Sequence, residues 1–228
     1  MERIALLTCN IDEFDDVREI PKQTIPFDFY NYNESNLNVS GHNYWYTDKN
    51  GESQKYQLSK RLLSKYPKLM TSYILPNYDI YIWIDGRVEI KSEKFVETMI
   101  DNLQEVRIAT HPDRQNCQQE FDFIESELKM NNPYLNVRYT FEGMEAEKRY
   151  FIDNLASYPL YASGIFARRN KPLINIAFRE IWEMCIQCGN LDQVLFSLIE
   201  RSYKLNYVTV PFYNDLFHVG VHLKEYRK

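Results

Sequence analysis

The chain has 228 residues, within the range of one globular domain, and its 44% hydrophobic and 26% charged residues can fill a core beneath a solvated surface, which excludes a disordered or collagen-like polymer. Its 27 basic and 32 acidic side chains leave a net charge of -5, so no broad positive field exists to hold a nucleic acid, although one phosphorylated small molecule can still be bound locally. No run approaches the roughly 20 apolar residues that cross a bilayer, and residues 1–10 lack a basic segment followed by an apolar one, so a cytoplasmic protein without an integral membrane segment is expected.

Ile4-Ala5-Leu6-Leu7 is a continuous apolar run ending in Thr8-Cys9-Asn10, the pattern of a buried strand whose polar end emerges at a sheet edge. Residues 44–47, followed by Asp48-Lys49-Asn50-Gly51, read as a second strand entering a turn. Between Ser53 and Met70, Leu58, Leu62, Tyr66 and Leu69 share one helical face, and Pro67 is expected to break or kink that helix. Residues 80–84 suit the centre of a sheet and end abruptly at Asp85-Gly86. Ser92 is expected to cap a helix carrying Phe95, Met99 and Leu103; a strand over 107–110 stops at His111-Pro112, and Cys117, Phe121, Ile124 and Leu128 line the next helix.

This alternation predicts an α/β sheet, mostly parallel, with helices on both faces. Beyond Pro133 the pattern predicts a helix over 145–155, a strand over 160–167 containing Gly164, a helix bearing Ile174, Phe178, Ile181, Cys185 and Cys188, a final helix capped by Asp192, and a strand over 207–210 before a tail with His218 and His222. The Cys185-x-x-Cys188 pair lies inside an apolar helical face without a second pair, so it reads as core rather than as a zinc site.

Ligands of open α/β sheets bind beyond the carboxyl ends of the strands, which makes polar residues there the first candidates. Asp85 is delivered to that edge by five apolar residues, and Gly86 leaves room for a ligand. A hard divalent cation, Mn2+ or Mg2+, suits such a carboxylate and would bridge a diphosphate; the plainer alternative is a turn aspartate. His218 or His222 would supply a nitrogen to the same ion, or lie on the surface. His111 and Arg114 offer a ring and a guanidinium to a sugar or phosphate, or else bond within their loop. Glu142-Gly143-Met144 is an acceptor-facing loop or a helix start, and Asp192 is a helix cap or a base, with Gln193 beside it for a hydroxyl. Lys68 would offset phosphate charge or serve only as a surface lysine. The aromatics Tyr44, Trp45, Tyr46, Tyr78, Tyr81 and Trp83 read as packing rather than as a stacking platform. G-x-S-x-G, P-loop and G-x-G-x-x-G motifs are missing, which removes common serine hydrolases, nucleotide kinases and dinucleotide enzymes.

Lys65-Tyr66-Pro67-Lys68-Leu69, Leu75-Pro76-Asn77-Tyr78-Asp79 and Ile82-Trp83-Ile84-Asp85-Gly86 occur in that order. They are followed by His111-Pro112-Asp113-Arg114, Glu142-Gly143-Met144, the strand around Gly164, and Asp192-Gln193 with Leu195 and Phe196. From about Tyr44 onward this ordered set resembles a family of glycosyltransferase-like domains of plant mucilage-synthesis proteins and their bacterial and viral relatives. The resemblance implies a single GT-A domain, with residues 1–110 mainly binding a nucleotide sugar and 111–228 mainly binding the acceptor and closing the site. It implies sugar transfer from a nucleoside diphosphate sugar, UDP-linked foremost, to a carbohydrate or other hydroxyl acceptor in polysaccharide biosynthesis. It further implies a divalent ion, commonly manganese, on Asp85 and on His218 in preference to His222. Thr8, Asn10, Asp48, Lys68 and Gly86 would join Asp85 around the donor, and His111, Arg114, Glu142, Gly164 and Gln193 would face the acceptor. Asp192 would act as the base if the sugar inverts and as a positioning residue if it is retained.

Three positions depart from the family pattern. Arg87 stands where a D-x-D would place its second acid, Ala162-Ser163 precedes Gly164 where the family has an acid, and Leu191 replaces a basic residue before Asp192. Arg87 favours a competing reading, a noncatalytic sugar-nucleotide or glycan-binding module with a degenerate metal site. Two-metal phosphoester hydrolysis is weaker still, for want of clustered carboxylates and histidines.

Overall fold

The computed structural model describes residues 2–15, 18–37, 43–47, 51–136, 138–188, 191–212 and 215–220. In chain order the elements are β1 (Ile4–Cys9), β2 (Asp28–Tyr32), β3 (Asn43–Thr47), β4 (Ser53–Gln57), α1 (Lys60–Leu69), α2 (Thr71–Ile74), β5 (Ile80–Ile84), β6 (Val88–Ile90), α3 (Phe95–Ile100) and β7 (Val106–Thr110). There follow α4 (Cys117–Lys129), α5 (Pro133–Asn136), α6 (Phe141–Lys148), β8 (Tyr161–Arg169), α7 (Pro172–Cys188), α8 (Asp192–Tyr203), β9 (Tyr207–Val210) and β10 (Phe217–Val219).

Six strands form the central sheet in the order β2-β1-β5-β8-β7-β9. Five run in one direction, and β8 alone is antiparallel to both neighbours, so the expected mostly parallel sheet is present with one reversal. The reversal follows from the chain path: after β7 the alternation of strand and helix lapses into α4, α5 and α6, and the chain re-enters the sheet at the end where it left.

Side chains alternate across the sheet with period two and build a core on each face. Leu7, Tyr81, Trp83, Ile108 and Phe166 face a layer made largely of α1, α7 and α8, where Phe178, Trp182 and Phe196 are fully buried. Leu6, Ile80, Ile82 and Ile84 face α3 and a two-stranded ribbon of β6 and β10, with Phe95 and Phe217 edge to face. Helices therefore cover both faces. Cys185 and Cys188 are buried free thiols, as the apolar pattern predicts.

Several local expectations are corrected. The second strand of the sheet is β2, an edge strand too polar to stand out, whereas the 44–47 run pairs with β4 in a separate ribbon. Residues 53–57 are therefore strand, and the helix begins only at Lys60, where Ser59 Oγ accepts the Leu62 N–H at 3.2 Å. α1 runs through Pro67 to Leu69; the proline removes one backbone bond, while Leu62, Leu63 and Leu69 keep the helix anchored in the core. Ser92 Oγ accepts the Lys94 N–H at 3.1 Å, one step before the helix, and Lys94 is the N-cap. The helix expected over 145–155 is α6, which starts at Phe141 because Thr140 caps it through the Gly143 N–H at 3.0 Å. Asp192 is the first residue of α8 and makes no capping bond; Leu191 is the N-cap. No helix among the described residues is long and apolar enough to cross a membrane.

Candidate active site

Five fully buried residues of β5 carry the chain to Asp85 at the carboxyl edge of the sheet. Two positions after Trp83, Asp85 points to the same face, and the Trp83 indole N–H donates to its Oδ1 at 2.8 Å. The Asp85 N–H donates to the Gly164 carbonyl at 2.8 Å, which ties the carboxyl end of β5 to the antiparallel strand β8. A Cβ on Gly164 would lie 2.8 Å from Asp85 Oδ2, so the glycine is what admits the carboxylate.

Behind Asp85, α1 and α8 converge on a buried ionic cluster. Lys65 and Lys68, three residues apart on one helical face, both reach Asp192; Lys68 Nζ donates to its Oδ2 at 2.7 Å. Ser163 Oγ stands 3.2 Å from both Lys68 Nζ and Asp192 Oδ2, and Lys68 Nζ is also 3.8 Å from Asp85 Oδ1. Lys68 is 5% exposed and Asp192 6%, so Lys68 is no surface lysine. Burial works to lower the Lys68 pKa, but the Asp192 and Asp85 carboxylates outweigh it and hold the ammonium charged. Burial likewise opposes ionisation of Asp192, yet Lys65 and Lys68 hold it well below the usual carboxylate range. A carboxylate so tightly paired is a weak proton acceptor, which counts against Asp192 as the base. For Asp85, Lys68, Arg87 and the Trp83 N–H overcome burial and lower its pKa too. Next to the cluster, Glu147 is fully buried and accepts the Leu191 N–H at 3.1 Å; burial pushes its carboxyl up to about 8.

In front of Asp85, at the carboxyl ends of β1, β2 and β5, lies a cleft lined by Thr8, Asn10, Arg18, Glu19, Asn31, Asp85 and Gly86, with Phe29 among its apolar wall. The expected donor residues Thr8, Asn10, Asp85 and Gly86 are thus brought together. Three buried polar atoms on this wall, Thr8 Oγ1, Asn31 Oδ1 and Arg18 Nε, have no hydrogen-bond partner among the described residues. Asn10 is engaged instead, holding the Asp15 backbone through both its amide oxygen and its nitrogen. Gly86 serves packing as well as access, since a Cβ there would stand 2.8 Å from Asp15 Oδ2. Arg18 and Asn31 line the cleft without having been expected from the sequence; recognising β2 as the sheet's edge strand would have found Asn31.

The other expected residues are engaged in local contacts or lie on the surface. His111 Nδ1 accepts the backbone N–H groups of Asp113 and Arg114 at 3.2 and 3.1 Å, and burial, with the Arg114 cation second, pushes the ring down to about 4. Arg114 is bonded to buried Glu120 and stands 3.0 Å from His111 Nε2, so this pair holds its own loop together rather than presenting free groups. Glu142 is exposed in the first turn of α6, and Gly143 packs under the end of α7, where a Cβ would meet the Cys188 carbonyl at 2.6 Å. Gln193 is half-buried beside Asp192 on α8. His218 is exposed on β10 directly across from Glu89, not in a flexible tail. Asp48, His222 and the side chains of Tyr44, Trp45 and Tyr46 lie outside the described residues.

This arrangement does not fit the implied divalent ion. Asp85 Oδ1 already meets the Trp83 N–H and the Lys68 ammonium, position 87 contributes a cation where a second acid would help, and His218 faces Glu89. A divalent ion held together with a diphosphate takes one or two protein carboxylates; the other acid lining the cleft, Glu19, is exposed and next to the Arg18 cation in sequence, and among the described residues no three His, Cys, Asp or Glu side chains converge.

The carboxyl edge of this mixed α/β sheet, with Asp85 and polar atoms unpartnered among the described residues, is where open α/β sheets bind their ligands. The chain belongs to the TOD1/MUCI70 family of glycosyltransferase-like domains, whose model matches residues 52–223. No curated protein matches the chain significantly. Among solved structures it is similar to a glycosyltransferase involved in glycosylation of the major capsid of PBCV-1, at 10% identity and a TM-score of 0.43 over 92% of this chain and 81% of that one. It is also similar to mouse xyloside xylosyltransferase 1 in its apo form, at 10% identity and a TM-score of 0.43 over 92% and 84% of the two chains. A third is core-mannan synthase A of Aspergillus fumigatus in an Mn/GDP form, at 10% identity and a TM-score of 0.39 over 97% and 76%.

Proposed function

We propose that the chain transfers a sugar from a nucleoside diphosphate sugar to a hydroxyl-bearing acceptor, a carbohydrate foremost. The observation that carries this reading is the cleft at the carboxyl ends of β1, β2 and β5, where Thr8, Asn31 and Arg18 keep buried polar atoms without partners among the described residues beside Asp85. Leaving buried polar atoms unpaired costs about 1–3 kcal/mol each, a cost that a bound polar ligand offsets. In this reading residues 1–110 supply most of the donor site, and the acceptor approaches from the 111–228 half, past Gly164, Gln193 and Glu142.

Lys68 is the cationic group nearest Asp85, held charged and fixed by Asp192 and Ser163. Its ammonium fixes the Asp85 carboxylate at the rim of the cleft rather than meeting the donor itself. Asp192 is a positioning residue in this scheme: with both oxygens bonded to lysines, it fixes Lys65 and Lys68 rather than taking the acceptor's proton. The competing reading, a binding module without turnover, is favoured by one feature, Arg87 in place of the second acid of a D-x-D.

The deciding experiment incubates the protein with a panel of nucleotide sugars, with and without oligosaccharide acceptors, and measures the nucleoside diphosphate released. Acceptor-dependent release is expected. Binding of the nucleotide sugars with no release under any condition would leave only the module.

A further inference from the structure

Resting on that reading of the cleft, we infer that Arg18 takes the role of the divalent ion: the donor's diphosphate is held by the guanidinium and the Thr8 hydroxyl, and binding needs no metal. A diphosphate must have its charge met at the sheet edge, and Asp85 is poorly placed to recruit an ion for it. One of its oxygens is bonded to the Trp83 N–H and faces Lys68 at 3.8 Å, and the other lies against the Gly164 backbone. The Lys68 ammonium stands 3.8 Å from Asp85 and Arg87 also acts on it as a cation, and each would repel a divalent ion while attracting a phosphate.

Arg18 lines the same cleft as Asp85. Its Nε is buried without a partner among the described residues, and its Nη1 reaches Glu89 only at 3.5 Å, the long limit of a hydrogen bond. Glu89 is also paired with Lys91 at 2.6 Å, so Arg18 is not its main counter-ion. With Nη1 at Glu89 and Nη2 beside Gly220, the guanidinium keeps Nε as its donor for a phosphate oxygen, on a cation that stays charged. Thr8, 7% exposed with Oγ1 unpartnered on the same wall, supplies a second donor. Asn31 Oδ1, an acceptor, suits a donor group of the nucleoside and not the phosphates.

Calorimetric titration of UDP and of GDP into the protein, once in EDTA and once with manganese, tests this. The expected affinities agree within about threefold between the two conditions, Arg18→Ala weakens binding about tenfold or more in both, and Arg18→Lys falls between. Thermal melts of the two variants that match the parent within a few degrees show that the loss is not unfolding. An affinity that rises tenfold or more with manganese, together with a manganese resonance signal altered by nucleotide and lost in Asp85→Asn, overturns the inference while leaving the transfer reading intact. Metal-free binding that Arg18→Ala leaves unchanged overturns the role of Arg18. Failure of both nucleotides to bind in either condition removes the donor reading itself, and the inference with it.

Discussion

Asp85 separates two polar regions built on opposite principles. Behind it, Lys65, Lys68, Ser163 and Asp192 bond one another out of water; before it, Thr8, Asn31 and Arg18 carry buried polar atoms without a partner among the described residues. A closed ionic cluster fixes geometry and leaves little capacity for a ligand. An open set of donors and acceptors costs stability until a ligand completes it. The closed region therefore reads as the scaffold of the site and the open one as its binding surface, and substitutions should divide along that line: stability from the first, affinity from the second.

The sharpest test of the closed region is Asp192→Asn, which strands two lysine ammoniums, one of them 5% exposed. Removing one member of a buried ion cluster costs about 3–5 kcal/mol, so denaturant unfolding should show a loss of that size. A loss under about 1 kcal/mol would mean that water already reaches the lysines and that the cluster is no scaffold.

Glu147 tests the same region through pH. Its folded carboxyl is raised from 4.5 to about 8 by burial, so between those values the folded chain holds a proton that the unfolded chain has released. Stability must fall as pH rises through that window, by on the order of 4 kcal/mol at roughly 1.4 kcal/mol per unit. Glu147→Gln cannot ionise and should flatten that slope, matching the parent near pH 4.5 and exceeding it at pH 8 in thermal melts. Parallel pH profiles for the two proteins would show that the Glu147 carboxyl is solvated.

The division between the regions also marks what the sequence made legible. The apolar run 80–84 announces β5 and Asp85, and the spacing of Phe121, Ile124 and Leu128 announces α4, because burial on one face leaves a periodic trace. β2 leaves almost none: as an edge strand it is half solvated, and Asp28 and Asn31 hide it among polar neighbours, so the wall carrying Asn31 was not foreseen. Arg18 precedes that strand in a segment without regular structure and has no pattern to betray it. Lys68 was recognisable in a motif, but its burial was not, because the carboxylate that permits it lies 124 residues away. For His111 the sequence left two readings, a ligand to a sugar or phosphate and a ring bonded within its loop, and the two loop N–H groups it accepts form the second kind of contact. Residue type and period reveal elements; which charged groups meet across them is decided by the sheet order.

Gly164→Ala acts on the boundary between the two regions. Its new methyl would meet Asp85 Oδ2 at 2.8 Å and Cγ at 3.2 Å, forcing the carboxylate away from Trp83 and Lys68. Overpacking of this kind costs about 1–3 kcal/mol, and the expected signature is a modest fall in melting temperature with a larger fall in nucleoside diphosphate release. Unimpaired release would remove Asp85 from the site.

Thr8→Val has the smallest expected effect on the fold and discriminates most cleanly between the regions. Valine keeps the shape of threonine on a buried β1 position and discards a hydroxyl that has no partner, so stability should hold or rise by up to about 1 kcal/mol, against the usual direction of a substitution in a core strand. The lost hydroxyl should appear instead in binding, as about a three- to tenfold weaker affinity for UDP or GDP, one neutral hydrogen bond's worth. If the variant is destabilised while nucleotide affinity is unchanged, Thr8 Oγ1 was satisfied within the fold all along, and the cleft side of Asp85 would be scaffold like the lysine side.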